Sequence, residues 1–192
     1  MSLFERYEKG TTELFALSVI SKSFDSKYAE YIYPQNTDNF DFISPDDKRA
    51  LEVVFAIPQN ELNTYAYEKA LSKNSPESKK EATKRKIKQA KFDKDGSILR
   101  YYGGSIQEIV KIIKKRVAEK NEKAKKRKNF EKYESIDLCV GVQDGSSMDM
   151  QSFQMADFNF KDLVFDNIFF ITPSHFFRYS VSSGFEEYPR MI

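Results

Sequence analysis

The chain has 192 residues, of which 40% are hydrophobic and 31% are charged, and this length suits one domain spanning residues 1–192. It contains no apolar run near the ~18 residues of a membrane span and no signal-type N-terminus, so we expect a cytoplasmic protein without a membrane partner. One His and one Cys exclude Cys/His zinc clusters and an internal disulfide.

Positive charge is concentrated in the middle of the chain. The net charge of +2 divides into −5 for residues 1–72, +12 for residues 73–134 and −5 for residues 135–192. Blocks of like charge mark either solvated faces or surfaces that bind acidic partners. The middle third is therefore the part of the chain in which contacts with phosphate groups are expected.

The first third predicts one helix followed by three strands. Residues 11–24 place apolar side chains at the spacing of a largely buried helix. Residues 27–33 alternate aromatic and polar side chains, which predicts a first strand, and residues 39–43 are typical of a second, short one. Residues 50–57 are apolar except for Glu52, and this pattern predicts a central strand that is buried on both faces.

A Lys-rich stretch and one long helix follow. Residues 60–90 predict two helices, and residues 97–102 predict a short strand. Ser105 and Glu108 have the spacing of a capping box. They start the clearest helical pattern of the chain, which covers residues 105–118.

The last third predicts further strands of the same sheet. Residues 136–142 and 165–172 are typical of interior strands, and residues 176–181 of an edge strand before a polar tail. Residues 146–159 lack a clear period and predict a loop with one helical turn. The fold class expected from this order is mixed α/β.

Three carboxylates accompany this order of elements. Glu13 lies in the first predicted helix, Asp41 lies in the second strand, and Glu52 opens the triplet Glu-Val-Val in the third. The arrangement resembles the αβββαβ core of the PD-(D/E)xK nuclease superfamily, the restriction endonuclease-like fold, with residues 60–104 as a helical, Lys-rich insertion. In that superfamily the first helix carries a Glu, the second strand an Asp and the third an acid-x-Lys triplet. The resemblance implies catalytic roles for Glu13, Asp41 and Glu52.

The resemblance also implies a Mg²⁺ site formed by Asp41 and Glu52, because Mg²⁺ takes oxygen ligands and activates bound water. Val54 stands where the motif has its lysine. Losing one such preorganised charge costs roughly 10²- to 10³-fold in rate. The candidates for a migrated replacement are Lys48, Arg49, Lys111 and Lys115.

Each carboxylate also has a purely structural interpretation. Glu13 favours the N-terminal dipole of its helix, and Asp41 accepts hydrogen bonds in a turn. Glu52 is harder to explain in this way. Within an apolar strand its charge needs a cation, a metal or hydrogen-bond donors.

The basic middle third likewise has two interpretations. Its lysines form either a solvated helix face or a surface that neutralises the phosphates of DNA or RNA without reading their sequence. Arginines, which would make bidentate contacts to bases, are sparse in it. The candidate phosphate contacts are Lys84, Arg85, Lys86, Lys88, Lys115 and Arg116.

These residues support one leading hypothesis for function and two alternatives. The leading hypothesis is a relative of the nuclease superfamily with a degenerate metal site that binds nucleic acid or a partner protein. One alternative is an active Mg²⁺-dependent nuclease. The other is a small interaction or immunity protein of a phage or defence system.

Overall fold

A computed structural model describes most of the chain. The α-helices that lie wholly within the described residues are α1 (Lys9–Ser23), α2 (Gln59–Ser72), α3 (Ile106–Lys125) and α4 (Met150–Met155), and two 3-10 helices span Ser26–Glu30 and Phe130–Lys132. No described helix combines the length and the apolar composition needed to cross a membrane. The described residues are 9–35, 40–72, 75–77, 80, 90–94, 96–100, 104–128, 130–143, 148–158 and 160–191.

Six strands form one mixed sheet, and two more form a separate hairpin. The hairpin pairs β3 (Lys91–Phe92) with β4 (Ile98–Arg100). The expected mixed α/β fold is thereby confirmed, whereas its restriction endonuclease-like detail stays a prediction. In spatial order the sheet contains β1 (Phe42–Ile43), β2 (Arg49–Ala56), β5 (Ser135–Val142), β6 (Asn167–Ile171), β7 (Phe176–Ser180) and β8 (Gly184–Tyr188).

The centre of the sheet is parallel and its two sides are antiparallel. β2, β5 and β6 run in the same direction, while β1 pairs with β2, β7 with β6 and β8 with β7 in antiparallel fashion. Parallel neighbours need a crossover connection, and α3 lies in the one between β2 and β5. The strands predicted over residues 50–57, 136–142 and 165–172 are confirmed as neighbours in one sheet.

Helices cover both faces of this sheet. The apolar stripe of α3, including Ile113, packs on one face against β5 side chains such as Leu138, and α1 packs its own apolar residues, such as Ile20, on the opposite face. Because both faces are buried, the central strands are continuous apolar runs in the sequence. The helices predicted over residues 11–24 and 105–118 are confirmed.

α3 continues beyond its predicted end at residue 118. Asn121 and Ala124 extend its buried stripe. The Asn121 Nδ2 group donates to the Asp162 carbonyl at 3.1 Å, and its Oδ1 accepts the Val164 N–H at 2.9 Å. A buried polar residue thus ties the end of the helix to a loop, which apolar periodicity alone does not reveal.

The strand predicted over residues 27–33 is wrong for its first half, and its second half contains one β-bridge, in which Ile32 and Ile43 exchange backbone hydrogen bonds of 2.9 Å. Its first half forms the 3-10 helix Ser26–Glu30, which the Asp25 side chain caps by accepting a backbone N–H. Side chains three residues apart eclipse in a 3-10 helix. Tyr28 and Tyr31 have this spacing, and their rings stack with centroids 4.8 Å apart in the core. The aromatic pattern therefore reflects a period of three rather than the period of two of a strand.

The strand predicted over residues 176–181 exists as β7, but it is not the edge of the sheet. The chain turns back after Ser180 and adds β8 on its outer side. Gly184 starts this last strand with a φ of 72°, a conformation that favours glycine. The helical turn predicted within residues 146–159 is confirmed as α4.

The segment between β2 and α3 contains α2 and the β3–β4 hairpin. Tyr67 and Ala70 of α2 form a small core with Ile98 of the hairpin. The strand predicted over residues 97–102 is confirmed as β4, and the first of the two helices predicted over residues 60–90 is confirmed as α2. Most of the second helix falls outside the described residues.

Candidate functional site

Glu52 places a carboxylate inside the core of the protein. It lies on β2 opposite Leu138 of β5. Ala50 and Val54 contribute to the core beneath α3, so the alternation of a strand directs Glu52 to the same face. Only 2% of the residue is exposed, and an unpaired charge at such a position is strongly unfavourable. The fold must therefore bring positive charge or hydrogen-bond donors to it.

Two cations from the end of α3 and the segment after it meet this carboxylate. Lys120 Nζ donates to Glu52 Oε1, and Arg127 Nη2 lies 2.8 Å from Glu52 Oε2. The side chains of Lys120 and Arg127 are 21% and 12% exposed. The Arg127 guanidinium also lies over the ring of Phe40, with Cζ 4.1 Å from the ring centroid, which adds a cation–π contact. We call these three charged residues the Glu52 cluster.

The Glu52 cluster contains one positive charge more than its carboxylate neutralises. Within the cluster, Arg127 Nη1 is buried without a hydrogen-bond partner among the described residues. Desolvation offsets much of the attraction within a buried ion pair, although removing one partner from it is costly. Because breaking the pair is costly while forming it gains little, the cluster favours one position of α3 over β2 rather than adding much net stability.

No contact among the described residues joins the four proposed replacement cations to Glu52. Lys48 instead bonds to Glu134 at 2.7 Å, and Lys115 lies 3.8 Å from Glu119. The remaining two candidates, Arg49 and Lys111, are exposed.

Lys120 is a functional candidate that sequence reasoning missed, although a signal for it exists. It follows Val117 by three residues and Ile113 by seven, which places all three on the buried stripe of α3. Continuing the helical period past residue 118 would have directed Lys120 toward the sheet. Arg127 has no such signal, because it lies after the last residue of the helix.

The other two predicted carboxylates occupy different surroundings. Asp41 Oδ2 accepts the Val53 N–H at 2.8 Å. This side chain thereby bonds to β2 just past the residues of β2 that pair with β1. Glu13 is buried on α1, the helix that covers the opposite sheet face from α3. The catalytic roles of Glu13, Asp41 and Glu52 stay predictions.

A Mg²⁺ site formed by Asp41 and Glu52 also stays a prediction, and the surroundings of Glu52 disfavour it. Within the described residues, no group of three or more His, Cys, Asp or Glu side chains is arranged to hold a metal ion. Mg²⁺ requires several oxygen ligands and retains bound waters. Both Glu52 oxygens already face a cation, and the charges of Lys120 and Arg127 would repel a second one.

The predicted phosphate contacts fall into two groups. Lys115 and Arg116 lie on α3, and both form ion pairs with Glu119, at 3.8 and 3.0 Å. Their side chains are 73% and 42% exposed, which leaves them accessible to a ligand. The predicted contacts that lie outside the described residues are Lys84, Arg85, Lys86 and Lys88.

A second buried carboxylate, Asp137 on β5, lies on the sheet face that α1 covers. Tyr28 Oη donates to its Oδ2 at 2.6 Å. Asn167 donates to its Oδ1 from Nδ2 at 2.7 Å and from the backbone N–H at 3.1 Å. Sequence reasoning overlooked this residue, although an Asp inside an apolar strand is the same signal that drew attention to Glu52.

Asp137 accepts its hydrogen bonds from uncharged donors rather than from cations. For this reason its pKa differs from that of an exposed carboxyl. Burial raises the pKa of Asp137 to about 6, against the opposing effect of its hydrogen bonds from Tyr28 and Asn167. Burial and the neighbouring Asp137 also raise the pKa of Tyr28. Arg178 Nε reaches only the second layer of this site, where it donates to Asn167 Oδ1 at 2.7 Å.

We expect Glu52→Gln to destabilise the fold far more than Glu134→Gln. The first substitution leaves two buried cations without a counter-charge, and removing one partner of a buried ion pair costs roughly 3–5 kcal/mol. The second removes an exposed partner of Lys48, which costs about 0–1 kcal/mol. Urea unfolding of the wild type and both variants measures the difference. Equally small losses would show that the Glu52 cluster does not stabilise the docking of α3.

We expect Asp137 to make the protein more stable in mild acid than at neutral pH. Its folded pKa of about 6 lies above the ordinary value of 3.8, so the folded state binds the proton more tightly. The stabilising effect is complete below about pH 4 and is lost as the pH rises through about 6, a loss of about 3 kcal/mol. Asp137→Asn should flatten this dependence in urea unfolding between about pH 5 and pH 7.5.

Asp162→Asn is the matched control for this prediction. Asp162 is exposed and has a φ of 50°, a conformation that Asn tolerates. Its replacement changes an exposed carboxyl outside the hydrogen-bond partners of Asp137. It should keep the wild-type pH dependence. The same slope in the wild type and in Asp137→Asn would contradict the assignment.

No model of a known protein family matches the chain, and neither a curated protein nor a solved structure matches it significantly. A function for this chain is therefore inferred from the resemblance of its sequence pattern and from the contacts, burial and charge of its own residues.

Proposed function

We propose that this chain is a relative of the PD-(D/E)xK nucleases that binds nucleic acid through its phosphates and does not hydrolyse it with Mg²⁺. The Glu52 cluster is the observation that argues against hydrolysis with Mg²⁺. A catalytic metal needs carboxylate oxygens that are free to coordinate it. Lys120 and Arg127 already neutralise the Glu52 carboxylate inside the core.

The exposed side of α3 supports binding to phosphates. The helix has 20 residues and is therefore about 30 Å long. Glu108, Glu119 and Glu122 are its exposed acids, and they leave an excess of positive charge on this surface. Dense positive charge favours phosphates through the release of counterions. The exposed lysines of residues 106–128 are Lys111, Lys114, Lys115, Lys123, Lys125, Lys126 and Lys128.

The identity of these cations favours binding that does not depend on sequence. Lysine contacts a phosphate as a point charge, whereas arginine supplies the planar fork that reads guanine. The arginines of α3 and the segment after it are Arg116, which is paired with Glu119, and Arg127, which is turned inward to Glu52. The surface should therefore hold different duplexes with similar affinity.

We expect log affinity for a random-sequence duplex to fall linearly with log salt. Replacing Lys111 and Lys115 together by Gln should weaken binding and reduce the slope by about 2, since each neutralised phosphate contributes roughly 0.9. Lys22→Gln with Lys27→Gln removes the same charge from exposed positions on the other side of the sheet and should change the slope little. Fluorescence anisotropy of labelled duplex at several salt concentrations measures both.

Two outcomes would count against nucleic-acid binding by α3. One is the absence of binding by the folded wild type at low salt. The other is an equal loss of slope in the two charge-matched double variants, which would assign the effect to net charge alone. Either result would favour the alternative of a partner protein, because the burial of apolar surface is not screened by salt.

We expect no cutting of supercoiled plasmid by the wild type in Mg²⁺ or Mn²⁺. The physical reason is that the Glu52 carboxylate is committed to two internal cations. Agarose gels of plasmid incubated with the wild type and with Glu52→Gln test this directly. Metal-dependent nicking that disappears in the variant, with the variant shown to be folded by circular dichroism, would establish the active nuclease instead.

A further inference from the structure

Few aromatic rings are exposed in the part of the chain that the structure describes, and most of these lie in its Lys-rich segment. Among the described residues, Tyr33, Tyr65 and Phe92 are the exposed aromatic side chains, at 45%, 41% and 46%. Two of the three, Tyr65 and Phe92, lie in the segment between β2 and α3. Residues 60–104 contain 11 basic and 6 acidic side chains, so the segment that carries both rings has a net positive charge.

The fold holds Phe92 in place although nearly half of it is exposed. It is the last residue of β3, and its hairpin closes through the Asp93 N–H, which donates to the Ser97 carbonyl at 2.8 Å. Gly96 completes the turn with a φ of 88°. Tyr67 of α2 anchors the turn, because its hydroxyl donates to the Gly96 carbonyl and its ring lies 5.5 Å from the ring of Phe92, centroid to centroid. The exposed ring therefore lies on a braced hairpin.

Two lysines and one aspartate lie next to this ring on the hairpin. Lys91 precedes Phe92 and Lys94 follows it by two residues, and both are exposed, as is Asp93 between Phe92 and Lys94. Asp93 Oδ1 accepts the Lys94 backbone N–H at 2.6 Å, and the described residues 91–94 keep a net charge of +1. On the neighbouring helix the Lys69 ammonium lies 6.0 Å from the centroid of the Tyr65 ring. An exposed aromatic ring between cations is the combination that binds unpaired nucleic acid, since the ring stacks on a base while the cations hold the phosphates.

We propose that the β3–β4 hairpin is a binding site for unpaired nucleic acid, in which Phe92 stacks on a base and Lys91 and Lys94 contact the flanking phosphates. This inference rests on the proposed nucleic-acid binding and adds the preferred ligand, a single strand. Bases within a duplex are stacked on one another and offer no free face to Phe92, whereas every unpaired base offers one. The exposed lysines of α3 bind paired and unpaired phosphates alike.

The chain contains no tryptophan, so Phe92→Trp introduces a single fluorescent reporter at the site. An oligo-dT strand should quench its emission in a saturable manner, because a base stacked on the indole quenches it. A blunt duplex should bind with little quenching. Tyr33→Trp is the matched control, since Tyr33 has nearly the same exposure but lies in the acidic first third. Its emission should not respond to either ligand.

Phe92→Ala tests the contribution of the ring to affinity. Removing one stacked base should weaken oligo-dT binding roughly 5- to 150-fold while leaving duplex binding unchanged. Tyr33→Ala should change neither affinity. Because Phe92 lies on a hairpin that is separate from the six-stranded sheet, its replacement should leave the urea midpoint close to that of the wild type. Such a midpoint shows that a loss of binding is not a loss of folding.

The possible outcomes separate this inference from the function on which it rests. Binding of oligo-dT in anisotropy without quenching in Phe92→Trp, and without an effect of Phe92→Ala, would overturn the stacking site and leave phosphate binding by α3 intact. Equal losses for strand and duplex in Phe92→Ala would also overturn the preference for single strands. Absence of binding to both ligands at low salt would overturn the inference and the proposed function together.

Discussion

The burial of the Glu52 carboxylate is the constraint that links the sheet of this protein to its longest helix. A charge on the inner face of β2 requires compensation, and Lys120 and Arg127 supply it from the far end of α3 and just beyond it. Lys120 lies past residue 118, where the apolar pattern of α3 weakens, so charge links this end of the helix to β2. The same turns carry Asn121, which holds the loop before β6. The buried charge and the buried amide together anchor the end of α3.

The two faces of the sheet contain buried carboxylates that are stabilised in different ways. Glu52 is matched by cations, whereas Asp137 is matched by the hydroxyl of Tyr28 and the amides of Asn167. Neutral donors compensate a buried charge less completely than cations do, and burial accordingly raises the pKa of Asp137 to about 6. The face toward α1 thereby acquires a pH dependence in the range where few ordinary carboxyls titrate.

The same use of cations divides α3 into two functional sides. On the side that faces the sheet, Lys120 near the end of the helix pairs with Glu52. On the outer side, lysines such as Lys111 and Lys123 are exposed to solvent. The proposed binding of phosphates by the outer side and the proposed absence of a metal at Glu52 are therefore compatible in one helix. The hairpin that carries Phe92 adds an aromatic surface to this charge, which favours a ligand that offers both phosphates and free base faces.

The sequence by itself determined the mixed α/β class, the central strands and the two covering helices, because hydrophobic periodicity and capping are local properties. It also marked Glu52 as a charge in need of a partner. Only the tertiary structure decided that the partners are Lys120 and Arg127, 68 and 75 positions away in sequence. It likewise placed a 3-10 helix over Ser26–Glu30, where the local pattern predicts a strand, and Tyr28 of this helix donates to Asp137 across 109 positions. Contacts at such separations depend on how whole elements pack, and no local pattern records them.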